Sequence, residues 1–159
     1  MTPLTLAQSY LIKARARLKI LGVLLDEEAY SDVVREAQEV VELALKAILR
    51  QLGIDPPKQH DVGGLLLEFR DLLPDGVRAQ AETLAGTSKW LRKERELAFY
   101  GDVDFVPTAE YTRDDAERAI RESRAVVLAA GEVIPLPAPP RPAHEDSDPA
   151  EEAAREGEA

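Results

Sequence analysis

The feature that most constrains the fold is a long apolar stripe with helical spacing between residues 28 and 52. Apolar side chains recur there every three to four positions, so they share one face of an α-helix, and that face must pack into a core. The helix should end at Gly53, which accepts a left-handed cap, ahead of Pro56 and Pro57, which cannot continue a helix. The stripe consists of Val33, Ala37, Val40, Val41, Ala44, Leu45, Ile48 and Leu52.

The charged side chains of the same segment fall opposite this stripe. Arg35, Glu39, Glu42 and Lys46 follow one another at intervals of three or four residues. Such a pattern is typical of an amphipathic helix that buries one face and keeps the other polar.

Four further segments have helical spacing, and together with residues 28–52 they predict an all-α fold. Hydrophobic residues make up 45% of the chain but aromatic ones only 5%, so a core would consist mostly of Leu, Ala and Val, which suit helix-on-helix packing. Asp61 is a good N-cap, Thr112 to Asp115 fits a capping box, and residues 103–110 read as a loop. We expect one antiparallel up-and-down bundle over residues 1–134, with helices at about 4–25, 28–52, 61–73, 77–98 and 112–134.

The last 25 residues differ in composition from the rest of the chain. Residues 135–159 contain six of the eleven prolines, many Ala and Glu, and half of the net charge of −10. They lack apolar periodicity, which predicts a disordered acidic tail. Such a tail could bind a partner, although like-charged tails commonly serve only solubility.

Composition excludes several classes of function. The chain has no cysteine and only two histidines, so thiolate chemistry and a His- or Cys-rich metal site are excluded, and we expect no metal and no cofactor. Neither a basic, apolar leader nor a membrane-spanning stretch is visible, which predicts a cytoplasmic protein. The net negative charge argues against broad binding to phosphate backbones but leaves room for a small basic site.

Arg95 is the most informative single residue of the sequence. At helical spacing it aligns with Leu84, Ser88 and Leu91, which predicts that it lies on the buried face of its helix. A guanidinium there must be paired, close to the end of the bundle, or lining a cleft. It could lock two helices together through a carboxylate, or it could bind a phosphate, and the sequence favours neither.

Tyr100 and Asp102 follow Arg95 at the predicted end of the same helix. An aromatic ring and a carboxylate beside an arginine can stack on a base and bind a ribose hydroxyl. Such residues more often plug the end of a bundle and cap a turn. Both interpretations are open, so these two residues join Arg95 as candidate ligand-binding residues.

Four runs of the sequence together resemble the HEPN domain family. The resemblance covers residues 4–134 and implies an up-and-down helical bundle, frequently a homodimer, often encoded beside a small nucleotidyltransferase. It also implies association with nucleotides or RNA, and many members are toxins with metal-independent ribonuclease activity. The runs are Val33 to Leu49, Gly53 to Asp61, Arg95 to Asp102 and Tyr111 to Glu117.

The sequence departs from the family at the ribonuclease motif. The resemblance implies an arginine followed, after four to six residues, by a histidine; Arg95 fits, but Tyr100 stands five places on and the neighbouring positions offer no histidine. A tyrosine with a pKa near 10 is a poor base at neutral pH, so nuclease activity is disfavoured. His60, just before Asp61, is a weaker candidate, because it more simply packs in its loop.

Trp90 lies about half a turn from the inner stripe of its helix. It would then be exposed and mark a contact surface, unless the loop of residues 103–110 covers it. Long Ala- and Leu-rich helices with a solitary tryptophan also predict a homodimer. Whether the second or the fourth predicted helix would form the seam is open.

Three hypotheses about function follow. The first is a non-catalytic HEPN module that binds nucleotide or RNA and works with a nucleotidyltransferase in a toxin–antitoxin-like pair. The second is a metal-independent endoribonuclease toxin. The third is a purely structural dimeric protein in which Arg95 is a salt bridge and nothing else. The missing histidine favours the first over the second, and the setting of Arg95 favours it over the third.

Overall fold

The computed structural model describes residues 3–56, 58 and 61–138, and within them the chain is an all-α bundle without a strand. None of the described helices is long and apolar enough to cross a bilayer. The helices are α1 (Leu6–Asp26), α2 (Tyr30–Gln51), α3 (Val62–Glu68), α4 (Asp75–Arg78), α5 (Ala81–Phe99), α6 (Pro107–Glu110) and α7 (Arg113–Val133), with a 3₁₀ turn at Arg70–Leu72.

The four long helices run alternately up and down, as their cross-helix contacts prove. Arg17 of α1 pairs with Glu36 of α2 at 3.2 Å, whereas Arg50, at the other end of α2, stacks on Tyr10, nearer the start of α1. The contacts between α2 and α5 also pair earlier residues of one helix with later residues of the other. The same holds for the contacts of α5 with α7 and with Tyr111, just before α7. The predicted antiparallel bundle is therefore confirmed.

Two of the predicted helices are broken in the structure. The third ends at Glu68 and continues only as the 3₁₀ turn, and the fourth is split into α4 and α5 by Ala79 and Gln80. The 3₁₀ turn buries none of its residues, and Leu72 is 57% exposed. Periodicity continues across the second break because α4 and α5 both keep apolar residues on the core side. Residues 103–110, predicted as a loop, contain the short helix α6, which begins at Pro107, a favourable first position.

The predicted capping groups are confirmed. Asp61 accepts a hydrogen bond from the Gly63 amide at 3.1 Å, and Thr112 and Asp115 form a reciprocal capping box. Gly53 has a φ of +83°, the left-handed conformation expected after α2. The backbone freedom of Gly53 thus fixes where α2 ends, and capping side chains fix where α3 and α7 begin.

The centre of the bundle is α2, which packs against α1, α5 and α7 at once. Its buried face is much wider than the stripe visible in the sequence, because three neighbours surround it. The buried side chains of this helix are Ser31, Val33, Val34, Ala37, Gln38, Val40, Val41, Ala44, Leu45, Ala47, Ile48 and Leu49.

The expectation that Trp90 is exposed is wrong, whereas the alternative, partial burial, is confirmed. The ring packs partly buried against the core, and the guanidinium of Arg118 on α7 covers it at 3.8 Å from the ring centroid. One covering group therefore comes from the next long helix, α7. Trp90 joins α5 to α7 through this contact.

The packed region extends slightly beyond residue 134. Gln8 donates a hydrogen bond to the Pro135 carbonyl at 2.8 Å, and Leu136 packs against the core. Residues 139–159, which hold most of the predicted tail, lie outside the described residues. Their disorder stays a prediction.

We predict that two truncations will differ in stability. Deleting residues 139–159 should leave the melting temperature nearly unchanged, since that segment has no apolar periodicity. Deleting residues 135–159 also removes the Leu136 packing and the Gln8 hydrogen bond, and should cost about 1–2 kcal/mol. Equal melting temperatures in calorimetry would contradict this difference.

The stacked pair of Arg118 and Trp90 gives a second prediction. Arg118→Ala should destabilise the fold by about 0.5–1 kcal/mol and shift the tryptophan emission to longer wavelength, because water replaces the guanidinium over the ring. Trp90 is the only tryptophan, so tryptophan emission reports the surroundings of this one ring. Arg124→Ala, at an exposed position of the same helix, is the control and should leave the emission unchanged.

Candidate functional site

The candidate site lies at the C-terminal end of α5 and in the turn that follows it. Gly101 has a φ of +70°, and a Cβ there would overlap the Phe105 carbonyl and the Pro107 ring, so the turn requires glycine. Tyr111 ties the turn back to α5, since its hydroxyl donates to Glu94 at 2.7 Å. Burial raises the pKa of Tyr111, and the Glu94 hydrogen bond raises it further, so the hydroxyl keeps its proton.

Arg95 is not buried, contrary to the sequence prediction. Half of its side chain is exposed, whereas Leu91 and Ala98 on either side of it are fully covered. The core face of α5 passes from Leu91 to Ala98, seven residues on, and leaves Arg95 at its edge. A long side chain at such an edge packs its stem and keeps the guanidinium in water.

Glu39 of α2 holds Arg95 only loosely. The nearest nitrogen–oxygen distance between them is 3.7 Å, and the same carboxylate oxygen already accepts a hydrogen bond from Arg35 at 2.7 Å. A half-exposed ion pair at that distance contributes about 0–1 kcal/mol. Arg95 therefore joins α5 to α2 weakly, and its guanidinium keeps most of its donors for other partners.

The charged face of α2 lies beside α5 and is not fully exposed. The side chains of Arg35, Glu39, Glu42 and Lys46 are only 21 to 32% exposed. Beneath them Gln38 is buried, donates to Glu42 at 2.7 Å, and leaves its own Oε1 without a hydrogen-bond partner among the described residues. The face that the sequence sets opposite the apolar stripe is thus a polar seam between two helices.

Glu42 is kept ionised by this seam. Burial raises the pKa of its carboxyl, but hydrogen bonds from Lys46 and Gln38 and the positive charges of Lys46 and Arg95 outweigh burial. The net result is a pKa below the usual value for a glutamate. Arg95 consequently faces two carboxylates on α2, Glu39 and Glu42.

Two shallow depressions lie on either side of Arg95. One, of about 440 Å³, is lined mainly by the end of α5 and the turn, and contains Arg92, Lys93 and Asp102. The other, of about 340 Å³, lies between α5 and α2 and contains Arg35 and Tyr100. Arg95 and Glu96 are common to both depressions. Four cationic side chains and the carboxylates of Glu96 and Asp102 therefore surround this part of the surface.

Two aromatic rings project from the end of α5. Phe99 is 53% and Tyr100 81% exposed, and their rings meet edge to face with centroids 4.8 Å apart. The guanidinium of Arg35 lies 5.7 Å from the Phe99 centroid. Large exposed rings beside cations are suited to stacking on planar ligands.

Asp102 is partly occupied by its own turn. Its Oδ1 accepts a hydrogen bond from the Val103 amide at 2.6 Å, and its backbone exchanges two hydrogen bonds with Phe105. The carboxylate is exposed and lines the first depression together with Arg95. Asp102 and Tyr100 therefore flank Arg95 from opposite depressions.

His60 lies outside the described residues, so its position stays a prediction. Among the residues that the structure describes, no group of three His, Asp or Glu side chains is placed to hold a metal ion.

A family model settles which family this architecture represents, since the HEPN domain model matches residues 7–133. The chain belongs to the HEPN domain family. The match spans α1 to α7, so the resemblance seen in the sequence is confirmed over the whole bundle.

Two other proteins are similar to this chain, one in sequence and one in fold. A protein of Methanocaldococcus jannaschii named "Putative toxin MJ1304" is 26% identical over 133 residues, which cover 76% of this chain and 83% of that protein. The crystal structure of TT1696 from Thermus thermophilus superposes with a TM-score of 0.64 at 23% identity, over 80% of this chain and 98% of that one. The latter likeness concerns the fold alone.

Sequence reasoning missed several residues that line the depressions beside Arg95 in this HEPN domain. Arg92 and Lys93 precede Arg95 by one turn or less and could have been found as a cationic run on α5. Phe99 could have been found from its place beside Tyr100. Arg35 could not, because only the packing of α2 against α5 brings it to the site.

The lowered pKa of Glu42 leads to a prediction about acid stability. A carboxyl whose pKa is lower in the folded state stabilises the fold above its unfolded pKa of about 4.5 and loses this contribution as the pH falls. Glu42→Gln should therefore be less stable than wild type at neutral pH, and the two should converge between roughly pH 5 and 3. Urea unfolding across this range measures the difference, and a gap that is constant with pH would contradict the assignment.

Proposed function

We propose that this HEPN domain is a non-catalytic module that binds nucleotide or RNA and works with a small nucleotidyltransferase in a toxin–antitoxin-like pair. Arg95 would bind a phosphate, Tyr100 would stack on a base, and Asp102 would accept a hydrogen bond from a ribose hydroxyl. We further propose that it acts as a homodimer in the cytoplasm.

The observation that carries this proposal is the half-exposed guanidinium of Arg95 between two depressions. Its planar, permanently charged fork suits phosphate oxygens, and its hold on Glu39 is too long to saturate its donors. Arg92 and Lys93 add positive charge on one side of it. Arg92, which pairs with Asp61 at 3.1 Å, shares one flank of α5 with Arg95, whereas Lys93 lies about 160° from Arg95 around the helix.

The aromatic rings support a ligand that also carries a base. Phe99 and Tyr100 extend into water at the end of α5. A ligand that covers them would remove apolar surface from water, which favours binding. Stacking of one base on such a ring contributes about 1–3 kcal/mol. A nucleotide or a single-stranded RNA combines both required groups, an anionic phosphate and a planar base.

The proposed toxin–antitoxin role is supported by family membership and by the name of the archaeal relative. The ribonuclease alternative lacks support from the residues around Arg95. Residues 98 to 102 are Ala, Phe, Tyr, Gly and Asp, so the histidine that the ribonuclease motif of the family implies is missing at this end of α5. This is why we propose binding without catalysis.

The weak pair of Arg95 and Glu39 also disfavours the purely structural role. A buried ion pair would cost about 3–5 kcal/mol when one partner is removed, whereas a half-exposed pair costs about 1 kcal/mol or less. Arg95→Ala therefore tests binding with little change in the free energy of unfolding. The variant should keep the fold and lower the melting temperature by no more than a few degrees.

We predict that Arg95→Ala weakens binding of a fluorescein-labelled single-stranded oligoribonucleotide about tenfold or more in fluorescence anisotropy, with ATP as a competing ligand. Tyr100→Ala should weaken it as well, through lost stacking. Because each phosphate contact releases counterions, Arg95→Ala should also reduce the slope of log affinity against log salt by roughly 0.7.

The matched control is Arg113→Ala. Arg113 is 53% exposed and paired with Glu117 at 2.9 Å, so it resembles Arg95 in exposure and charge but lies on α7. It should bind the oligonucleotide like wild type. Absence of binding by wild type, or equal binding by Arg95→Ala, would refute the proposal, and cleavage of the oligonucleotide in the presence of EDTA would establish the nuclease instead.

A further inference from the structure

Glu96 is a charged residue of the candidate site to which the proposed function gives no role. It is exposed near the C-terminal end of α5 and lines both depressions beside Arg95. Its carboxylate has no hydrogen-bond or ion-pair partner within residues 3–56, 58 and 61–138. Because a carboxylate accepts hydrogen bonds and donates none, Glu96 offers a ligand two acceptor oxygens.

Helix geometry places Glu96 between the two exposed aromatic rings. At about 100° per residue, its side chain leaves α5 about 40° from Tyr100 and about 60° from Phe99 on the other side. The Tyr100 amide donates to the Glu96 carbonyl at 2.9 Å, so the helical path continues as far as Tyr100. Side chains four residues apart on a helix are neighbours, and the carboxylate therefore lies beside the Tyr100 ring.

The two rings differ in how much surface each leaves open. The guanidinium of Arg35 on α2 lies over the Phe99 ring, 5.7 Å from its centroid. Tyr100 is 81% exposed, against 53% for Phe99. A planar ligand therefore has more room to stack on Tyr100, where its edge would come close to Glu96.

The depression between α5 and α2 separates its positive from its negative charge. Arg35 and Arg95 approach the same oxygen of Glu39, at 2.7 and 3.7 Å, so their guanidinium groups converge on the α2 side. Glu96 leaves α5 about 100° further around the helix than Arg95, away from that point. The volume of about 340 Å³ is at the low end for small-molecule sites.

A base stacked on Tyr100 would present its hydrogen-bonding edge to the Glu96 carboxylate. Guanine has two neighbouring donors on its Watson–Crick edge, N1–H and the N2 amino group, which match the two oxygens of a carboxylate. Adenine and cytosine have an amino group beside a ring-nitrogen acceptor, and uracil has one N3–H between two carbonyl acceptors. An acceptor such as Glu96 would meet lone pairs on each of these three bases.

We propose that the depression between α5 and α2 selects guanine, and that Glu96 reads the base by accepting hydrogen bonds from N1–H and the N2 amino group. This inference rests on the proposed function, because it requires a nucleotide whose phosphate lies at Arg95 and whose base stacks on Tyr100. It adds the identity of the base.

The charge and the hydrogen bonds of Glu96 act in opposite directions on binding. A negative charge close to a phosphate weakens all nucleotides alike, whereas a bidentate hydrogen-bonded pair strengthens guanine alone. Neutralising Glu96 therefore distinguishes a residue that reads the base from one that only repels the phosphate.

The test is displacement of a fluorescein-labelled single-stranded oligoribonucleotide by GMP, AMP, CMP or UMP, measured by fluorescence anisotropy. GMP should act at a concentration about tenfold or more below that of the other three, which is typical of a bidentate contact with a base. Inosine monophosphate keeps N1–H but lacks the N2 amino group, so it should compete severalfold less well than GMP.

Glu96→Gln keeps the shape of the side chain but replaces one acceptor oxygen with an amide donor. It should weaken competition by GMP about tenfold and leave competition by AMP equal or slightly stronger. The matched control is Glu82→Gln, since Glu82 is an exposed glutamate in the first turn of the same helix. It loses the same charge and should rank the four nucleotides as wild type does.

Three results would overturn the selection of guanine and leave the proposed nucleotide-binding module intact. They are equal competition by the four nucleotides in wild type, an equal gain for all four in Glu96→Gln, and inosine monophosphate competing as well as GMP. Absence of oligonucleotide binding by wild type would instead refute the proposed function, and this inference with it.

Discussion

The fold depends on one constraint, namely that α2 has to be covered on almost every side. Its apolar residues occupy far more than one face, so one partner helix cannot remove them from water. Packing α1, α5 and α7 around it meets this requirement, and the four long helices alternate in direction along the chain. The remaining helices, α3, α4 and α6, close the ends and edges of that arrangement.

The same packing creates the polar seam at which the candidate site lies. Where α5 meets α2, the charged residues of α2 are only partly covered, and they pair with one another. Arg95 is added to this seam from α5, as a weak partner of a carboxylate that Arg35 already holds. A cation in this position costs little stability and stays accessible, which is what ligand binding requires.

The candidate site occupies one end of the bundle. Arg95 and the exposed rings of Phe99 and Tyr100 are on α5 and its following turn, and the packing of α2 against α5 adds Arg35.

Local chemistry alone determined the helical class, the long helices and the residues that cap them. Apolar spacing, Gly53, Asp61 and the box at Thr112 act over a few residues, so the sequence displays them directly. Tertiary structure decided the rest, because the exposure of a side chain depends on neighbours distant in sequence. It moved Arg95 from the expected buried face to an exposed edge, covered Trp90 with Arg118, and brought Arg35 to the site. Periodicity gives the direction in which a residue points along its own helix, but only the packing of other helices decides what it meets there.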